Sequence, residues 1–217
     1  MKIKVNDVSK VYVQGEQKIL ALDKISFEVI QGQSLAILGP SGSGKTTLIS
    51  IIAGLEEPTS GEVLFDNFNL NKMSNDEINK FRSENIGFIF QQFHLMPHLT
   101  AFENVCLPFE IQNKKDYESL ATKALNDVGL SHRLNHYPKQ LSGGECQRVA
   151  VARAIVNEPP IIIADEPSGS LDAENGSQIM DLIFNLVKQK GITLLLVTHD
   201  LHLATKCAIK ISLNQNS

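Results

Sequence analysis

The nine residues GPSGSGKTT, Gly39 to Thr47, constrain this chain more than any other stretch of it. The apolar run SLAIL (Ser34 to Leu38) leads into them, and KTTLISIIAG (Lys45 to Gly54) leads out as a helix with a glycine stop. A strand that is apolar on both faces belongs in a parallel sheet covered by helices on each side. The glycines let the backbone fold back so that several N–H groups converge on one point. A polyphosphate is the ligand that needs such a cradle. The pattern G-x-x-x-x-G-K-[ST] is matched from Gly39 through Thr46. In it Gly39, Gly42 and Gly44 allow the close approach, and Lys45 reaches the β- and γ-phosphates. The Thr46 hydroxyl is placed to ligate Mg²⁺. The helix that begins here adds its positive end.

The rest of the chain supplies a matching scaffold. Ile3 to Val13 and Leu20 to Ile30 alternate apolar and polar residues, as half-buried antiparallel strands do. GEVLFD and IGFIF read as further strands, and about Gln92 to Ser142 as mainly helix and loop. IIIAD (Ile161 to Asp165), a helix around Ser177 to Lys188, and TLLLVTH (Thr193 to His199) complete the alternation. The expected class is α/β, a P-loop NTPase with a mainly parallel sheet core. An N-terminal antiparallel β subdomain and an inserted α-helical subdomain, about residues 92–157, complete one domain spanning 1–217.

Ligands in such sheets bind beyond the carboxyl ends of the strands. Four candidate residues stand at those ends. Asp165 closes IIIAD, 120 residues after Lys45, and is suited to hold Mg²⁺ through water. Glu166 follows it and is suited to act as general base on an attacking water. His199 follows TLLLVT, where a neutral imidazole can hydrogen-bond a γ-phosphate and position the water. Gln91 follows IGFIF, where its amide can touch Mg²⁺ or that water.

Composition closes other routes. A formal net charge of −4 on 217 residues argues against nucleic-acid binding by bulk electrostatics. Cys106, Cys146 and Cys207 lie far apart with no C-x-x-C pair, which argues against a disulfide framework and fits a reducing cytoplasm. No apolar run approaches the roughly 20 residues a membrane-spanning helix needs, so any membrane role is expected to come through a partner. The opening MKIKVNDVSK reads as a strand start, not a signal peptide. NKKD (Asn113 to Asp116) fits the guanine-reading N-K-x-D, but it lies in a polar segment ahead of the acidic strand, where guanine readers do not carry it. The i, i+4 pairs His94/His98 and His132/His136 have no obvious third ligand nearby, so packing or surface roles are expected over zinc.

A second anion-binding feature lies in QLSGGECQRVAVARA, Gln140 to Ala154. Ser142 and Glu145 have the S-x-x-E spacing of a capping box, so a helix is expected to begin at Gly143–Gly144 with exposed N–H groups and the positive end of its dipole. One chain with one nucleotide has already committed its phosphate loop. This helix end is therefore expected to face the nucleotide of a second copy, in a head-to-tail dimer that closes on the γ-phosphate and opens after hydrolysis. Cys146 sits in the first turn and reads either as a thiol activated by the helix end or as a tolerated small residue.

Together, Gly39–Thr46, Gln91, LSGGE, IIIADE, Asp172 and His199 resemble the ATP-binding subunit of ABC transporters, over essentially the whole chain and in the family's order. The resemblance implies that ATP contacts Tyr12, whose ring stacks on adenine, and Gly39, Pro40, Ser41, Gly42, Ser43, Gly44, Lys45, Thr46 and Thr47. It implies Mg²⁺ at Thr46, Gln91 and Asp165, catalysis by Glu166 with His199, Lys45 and Gln91, and contact with the opposite subunit's ATP through Ser142, Gly143, Gly144, Glu145 and Asp172. The stretches GFIFQQFHLMPHLTAFENVCLP and GLSHRLNHYPKQLSGGE resemble the subgroup of lipoprotein release (LolD-type), its YbbA-type relatives and macrolide efflux (MacB-type). Ser168 and Ser170 stand where that subgroup usually has threonine and asparagine. The implied partners are an integral membrane permease and a second copy of the chain, with no nucleic acid, at the inner face of the cell membrane. The apolar residues Phe93, Leu95, Met96, Pro97 and Leu99 are expected to receive a permease helix. A DNA-repair ATPase shares the signature but usually carries a long coiled-coil or zinc insertion, and only 97 residues separate Lys45 from Ser142. A non-transporting membrane signalling ATPase shares every motif.

Overall fold

The structure, a computed structural model, describes residues 1–15 and 17–214. In chain order the elements are β1 (Ile3–Gln14), β2 (Gln17–Val29), β3 (Ser34–Leu38), α1 (Lys45–Ile52), β4 (Ser60–Phe65), β5 (Phe68–Asn69) and α2 (Asn75–Asn85). They continue as β6 (Ile86–Phe90), α3 (Ala101–Ile111), α4 (Glu118–Asp127), α5 (Gly143–Ile155), β7 (Ile161–Asp165) and α6 (Ala173–Lys190). The last are β8 (Thr193–Val197), α7 (Leu201–Thr205) and β9 (Ile209–Ser212). The chain divides into two units, Met1–Arg82 with Thr193–Ser217, and Ser83–Ile192.

In the first unit β1 lies between β2 and β4 in an antiparallel sheet ordered β2-β1-β4-β5. Ile3, Val5 and Val8 of β1 are buried. The same unit contains a parallel ladder with β3 in the middle. Ser34 to Ile37 pair with Leu194 to Val197, and Leu35 to Leu38 pair with Ile209 to Ser212. Leu35, Ala36, Ile37 and Leu194 to Val197 are all 0% exposed, which is why these strands read as unbroken apolar runs. Burying each of the Leu, Ile and Val side chains among them stabilises by about 1.5–3 kcal/mol. The ladder also sets levels. The Thr198 N–H donates to Ile37 O at 3.2 Å, so His199 leaves its strand beside the start of the phosphate loop.

In the second unit β6 and β7 pair in parallel from Ile86↔Ile161 to Phe90↔Asp165. Gln91 and Glu166 thus leave adjacent strand ends at the same level. Helices α3, α4 and α5 pack on one another, and α5 also packs on β6 and α6. The fully buried Asn104 of α3 fixes the loop in front of that helix. Its Oδ1 accepts from Met96 N–H at 2.7 Å, and its Nδ2 donates to the carbonyls of Met96, Leu99 and Thr100 at 3.1, 3.0 and 2.9 Å. The Met96 and Thr100 carbonyls also accept from the Leu99 and Asn104 N–H groups, so Asn104→Leu takes the side-chain partner from the Met96 N–H and the Leu99 carbonyl; it is expected to cost about 3 kcal/mol, read as a lower urea midpoint.

Two elements differ from expectation. α6 begins at Ala173, earlier than the apolar period suggests, because Asp172 caps it by accepting Asn175 N–H at 3.0 Å. α2 has no buried residues, so no apolar stripe announces it. Its signal is another S-x-x-E: Glu77 accepts from the Ser74 N–H at 2.8 Å and from its hydroxyl at 2.7 Å.

Candidate nucleotide site

The first unit carries the phosphate loop between β3 and α1. Gly42 and Gly44 sit at φ 80° and 87°, left-handed conformations that glycine adopts without strain. Gly44 is also the N-cap of α1, and a Cβ there would stand 2.8 Å from Leu22 Cδ2 and nearer still to Ala21 O. No other residue fits. Lys45 is buried, and its Nζ donates to the Gly39 and Pro40 carbonyls at 2.8 Å each. The ammonium is therefore held over the loop. Ser43 Oγ is buried without a protein partner. A buried orphan hydroxyl, an ammonium and a helix N-terminus with no side-chain cap form a fitting cradle for phosphate oxygens.

Tyr12 of β1 belongs to the same unit. Its hydroxyl donates to Glu56 Oε2 at 2.8 Å and lies 3.4 Å from Thr47 Oγ1, next to the loop. Lys10 Nζ stands 5.2 Å from the ring centroid and pairs with Glu56 Oε1 at 3.0 Å. Burial pushes the Tyr12 pKa up, and the Glu56 hydrogen bond and charge add to this, so the phenol stays a donor. His199 is exposed at its strand end, and Asp200 caps α7 after it by accepting from His202 N–H and Leu203 N–H at 2.7 and 3.3 Å.

The second unit brings the acidic strand, the glutamine loop and the glycine-signature helix together. Asp165 and Glu166 are half-buried at the end of β7. Glu166 has φ 44°, a strained position for a side-chain-bearing residue, and its carbonyl accepts from the Gly169 N–H at 2.9 Å. The Gln91 carbonyl accepts from Ser170 Oγ at 2.9 Å, and a Cβ on Gly169 would fall 2.9 Å from Gln91 Nε2. The serine at position 170 thus ties the glutamine loop to the loop after the acidic strand.

The capping box of α5 is present as the spacing predicts. Glu145 N–H donates to Ser142 Oγ at 3.2 Å, and Ser142 N–H donates to Glu145 Oε2 at 2.8 Å. The Ser142 N–H bond, with Arg133 assisting, holds the Glu145 carboxyl below the usual carboxylate range. Asp172 serves as the N-cap of α6, and its carboxyl is lowered chiefly by the Asn175 N–H.

Sequence reasoning passed over two residues. Gln147 is 0% exposed and its Nε2 donates to the Phe90 carbonyl at 3.2 Å and to the Pro167 carbonyl. It thereby joins the signature helix to the residue before Gln91 and to the one after Glu166. Arg153 donates to the carbonyls of His94 and Phe93 at 2.7 and 2.8 Å. Gln147 shares a helical face with Ala150, Val151 and Ala154, all buried, and a glutamine in such a stripe is the signal that was available. Cys146 is buried, and burial followed by the Glu145 charge pushes its thiol up. A raised thiol pKa and a buried side chain favour the reading of Cys146 as a tolerated small residue over that of an activated thiol. His136 accepts from Arg133 Nη1 at 3.1 Å, and His94 packs edge-on to Phe90 at 5.1 Å.

Known proteins match this arrangement along nearly its whole length. The ABC transporter family model matches residues 22–169. An uncharacterised ABC transporter ATP-binding protein of Methanocaldococcus jannaschii, MJ0796, is 46% identical over 208 residues, 93% of this chain and 88% of its own. The lipoprotein-releasing system ATP-binding protein LolD of Shewanella denitrificans is 47% identical over 204 residues, 93% of this chain and 88% of its own. The dimeric structure of a post-hydrolysis state of MJ0796 bound to ADP and Pi superposes with a TM-score of 0.88 at 42% identity, covering 99% of this chain and 97% of that one. A second dimeric MJ0796 structure gives 0.89 at 43% identity, over 98% and 94%. Motifs, strand-end chemistry and these likenesses agree: the chain belongs to the ABC transporter family and is one of its ATP-binding ATPase cassettes.

Proposed function

We propose that two copies of this chain close head-to-tail around two ATP molecules and drive a membrane permease. The observation that carries this reading is the capped start of α5. Gly143 and Gly144 present helix-first-turn N–H groups that have no carbonyl one turn back, in a chain whose phosphate loop is a separate feature. The MJ0796 structures are dimeric, which supports the pairing of two copies. In it Ser142, Gly143, Gly144, Glu145 and Asp172 act at the partner's nucleotide. Tyr12 offers a face to adenine, and Gly39–Thr47 hold the phosphates.

Glu166 takes the proton of the attacking water, and His199 and Gln91 orient that water. Lys45 and the opposing signature stabilise charge on the transferring phosphoryl group. Thr46, Asp165 and Gln91 offer hard oxygen donors of the kind Mg²⁺ takes from a protein alongside substrate phosphates. Bound there, Mg²⁺ neutralises phosphate charge.

Among the described residues no helix is long and apolar enough to cross a membrane. In this reading the chain works at the inner face of the cell membrane through its permease, and the LolD relative favours export of lipoprotein or another hydrophobic substrate. The docking surface lies in the glutamine loop and beside it. Met96 and Pro97 are exposed there, and Phe90, Leu107, Pro108 and the 73% exposed Ile111 line an apolar groove in the same unit. Ile111→Asp should cut permease co-purification at least tenfold while ATP-induced thermal stabilisation stays intact. Unchanged co-purification contradicts the docking surface. Reconstitution with the co-purified permease then tests whether a lipid-modified protein moves on ATP addition.

A further inference from the structure

The signature helix carries an electrostatic conflict. Its first turn has N–H groups that, in the proposed reading, meet an anion, yet Glu145, one residue beyond Gly144, adds a carboxylate to the same turn. A glutamate there suits the capping box and the helix dipole. It does not suit the approach of a triphosphate, because like charges repel across the short distance of one helical turn. Glu145 is held in its ionised form by its hydrogen bonds, so protonation does not remove the conflict at neutral pH.

The loop before the helix removes it instead. Arg133 Nε donates to Glu145 Oε1 at 2.9 Å, on the carboxylate oxygen that the capping box leaves over. Arg133 Nη1 donates to His136 Nε2 at 3.1 Å, which keeps the guanidinium in place. The turn that carries both residues is itself anchored. The Arg133 N–H bonds Leu130 O and the His136 N–H bonds Arg133 O, each at 2.9 Å. Two N–H groups at the start of α3 fasten the turn from the other side, Ala101 to His136 O at 2.8 Å and Phe102 to Leu134 O at 3.0 Å. Arg133 is thus built into a fixed support and is no free surface cation.

We propose that Arg133 is a positioning residue that neutralises Glu145, so that the first turn of α5 accepts the triphosphate of a second subunit. The inference rests on the head-to-tail reading above. It makes the pair, and not Glu145 alone, the unit that acts at the dimer interface. A purely structural pair would behave differently, because its loss would lower stability without changing how charge enters the dimer.

The test measures ATP-dependent dimerisation by sedimentation velocity in a Glu166→Gln background, with thermal melting and ATP binding to the monomer alongside. Arg133→Gln should raise the ATP concentration for half-dimerisation at least tenfold, and the defect should shrink as salt is added. Adding Glu145→Gln to it, which keeps a capping side chain without the charge, should restore dimerisation to within about threefold of the background. Arg133→Lys should stay close to the background, and it carries the comparison should Arg133→Gln melt. Dimerisation by Arg133→Gln equal to the background overturns the proposal. So does failure of Glu145→Gln to rescue a folded Arg133→Gln that still binds ATP. No dimer even in the background protein defeats the head-to-tail reading itself, a distinct result.

Discussion

Glu166→Gln is expected to slow ATP hydrolysis by about 10²–10⁴-fold, the usual contribution of a positioned general base. The substitution keeps side-chain length and removes only the ability to take a proton. ATP binding should persist, and the variant should accumulate as an ATP-bound dimer that wild-type protein forms only transiently. Glu166 is the right place to look for so large an effect. It follows a strand whose first four residues, Ile161 to Ala164, are fully buried; its backbone is held at φ 44°, and it emerges level with Gln91 on the neighbouring strand. Strained backbone positions cluster at active sites, so the φ of Glu166 adds to its place at the strand end. Wild-type turnover in this variant, measured by phosphate release, overturns the assignment of the base.

Lys45→Ala is expected to fail earlier in the cycle. Removing one preorganised electrostatic contact of this type costs about 10²–10³-fold in rate, and in the proposed reading the same group also holds ground-state phosphates. Nearly complete loss of ATP binding is therefore expected together with the loss of turnover. In the structure Lys45 Nζ already donates to the Gly39 and Pro40 carbonyls, so its truncation also loosens the loop. Wild-type protein should gain thermal stability in MgATP, by mass action on the folded state, whereas Lys45→Ala should melt at one temperature with and without it. An undiminished ATP-dependent shift in the variant contradicts the role given to Lys45.

Much of this was legible in the chain because the relevant physics is local. The phosphate loop declares itself through glycines whose left-handed φ values few other residues tolerate. The buried strands declare themselves as unbroken apolar runs. The start of α5 was fixed by two residues three apart, Ser142 and Glu145, whose reciprocal bonds form as the spacing demands. The same spacing recurs at Thr100/Glu103 and Ser74/Glu77, where it caps α3 and organises the start of α2. Those two went unread because Ile78 and Phe81 are the only apolar residues of α2, and the α3 box stands inside a stretch read only as helical.

What stayed hidden is long-range. Gln147 reaches the Phe90 carbonyl 57 residues away, and Arg153 reaches Phe93 60 residues away. Nothing at either end of such a bond names its partner. Asn104 reads as one more polar helix residue until the carbonyls it collects are seen. Cys146 turned on a competition that sequence does not settle. A helix end lowers a thiol pKa, whereas the burial of Cys146 and the Glu145 charge raise it, and the extent of that burial is not visible in the sequence.

The central claim is that the phosphate loop of one copy faces the signature helix of another. Two proteins test it when mixed, each in the Glu166→Gln background, one carrying Ser41→Cys and the other Ser142→Cys. Both positions are exposed, and the native Cys106, Cys146 and Cys207 are buried, which keeps background reaction low. Neither protein carries both introduced thiols, so a link between positions 41 and 142 forms only between two chains. A short bismaleimide should therefore join the two into a covalent dimer in MgATP and not in ADP. Absence of that ATP-dependent cross-link, in proteins that both bind ATP, contradicts the head-to-tail arrangement.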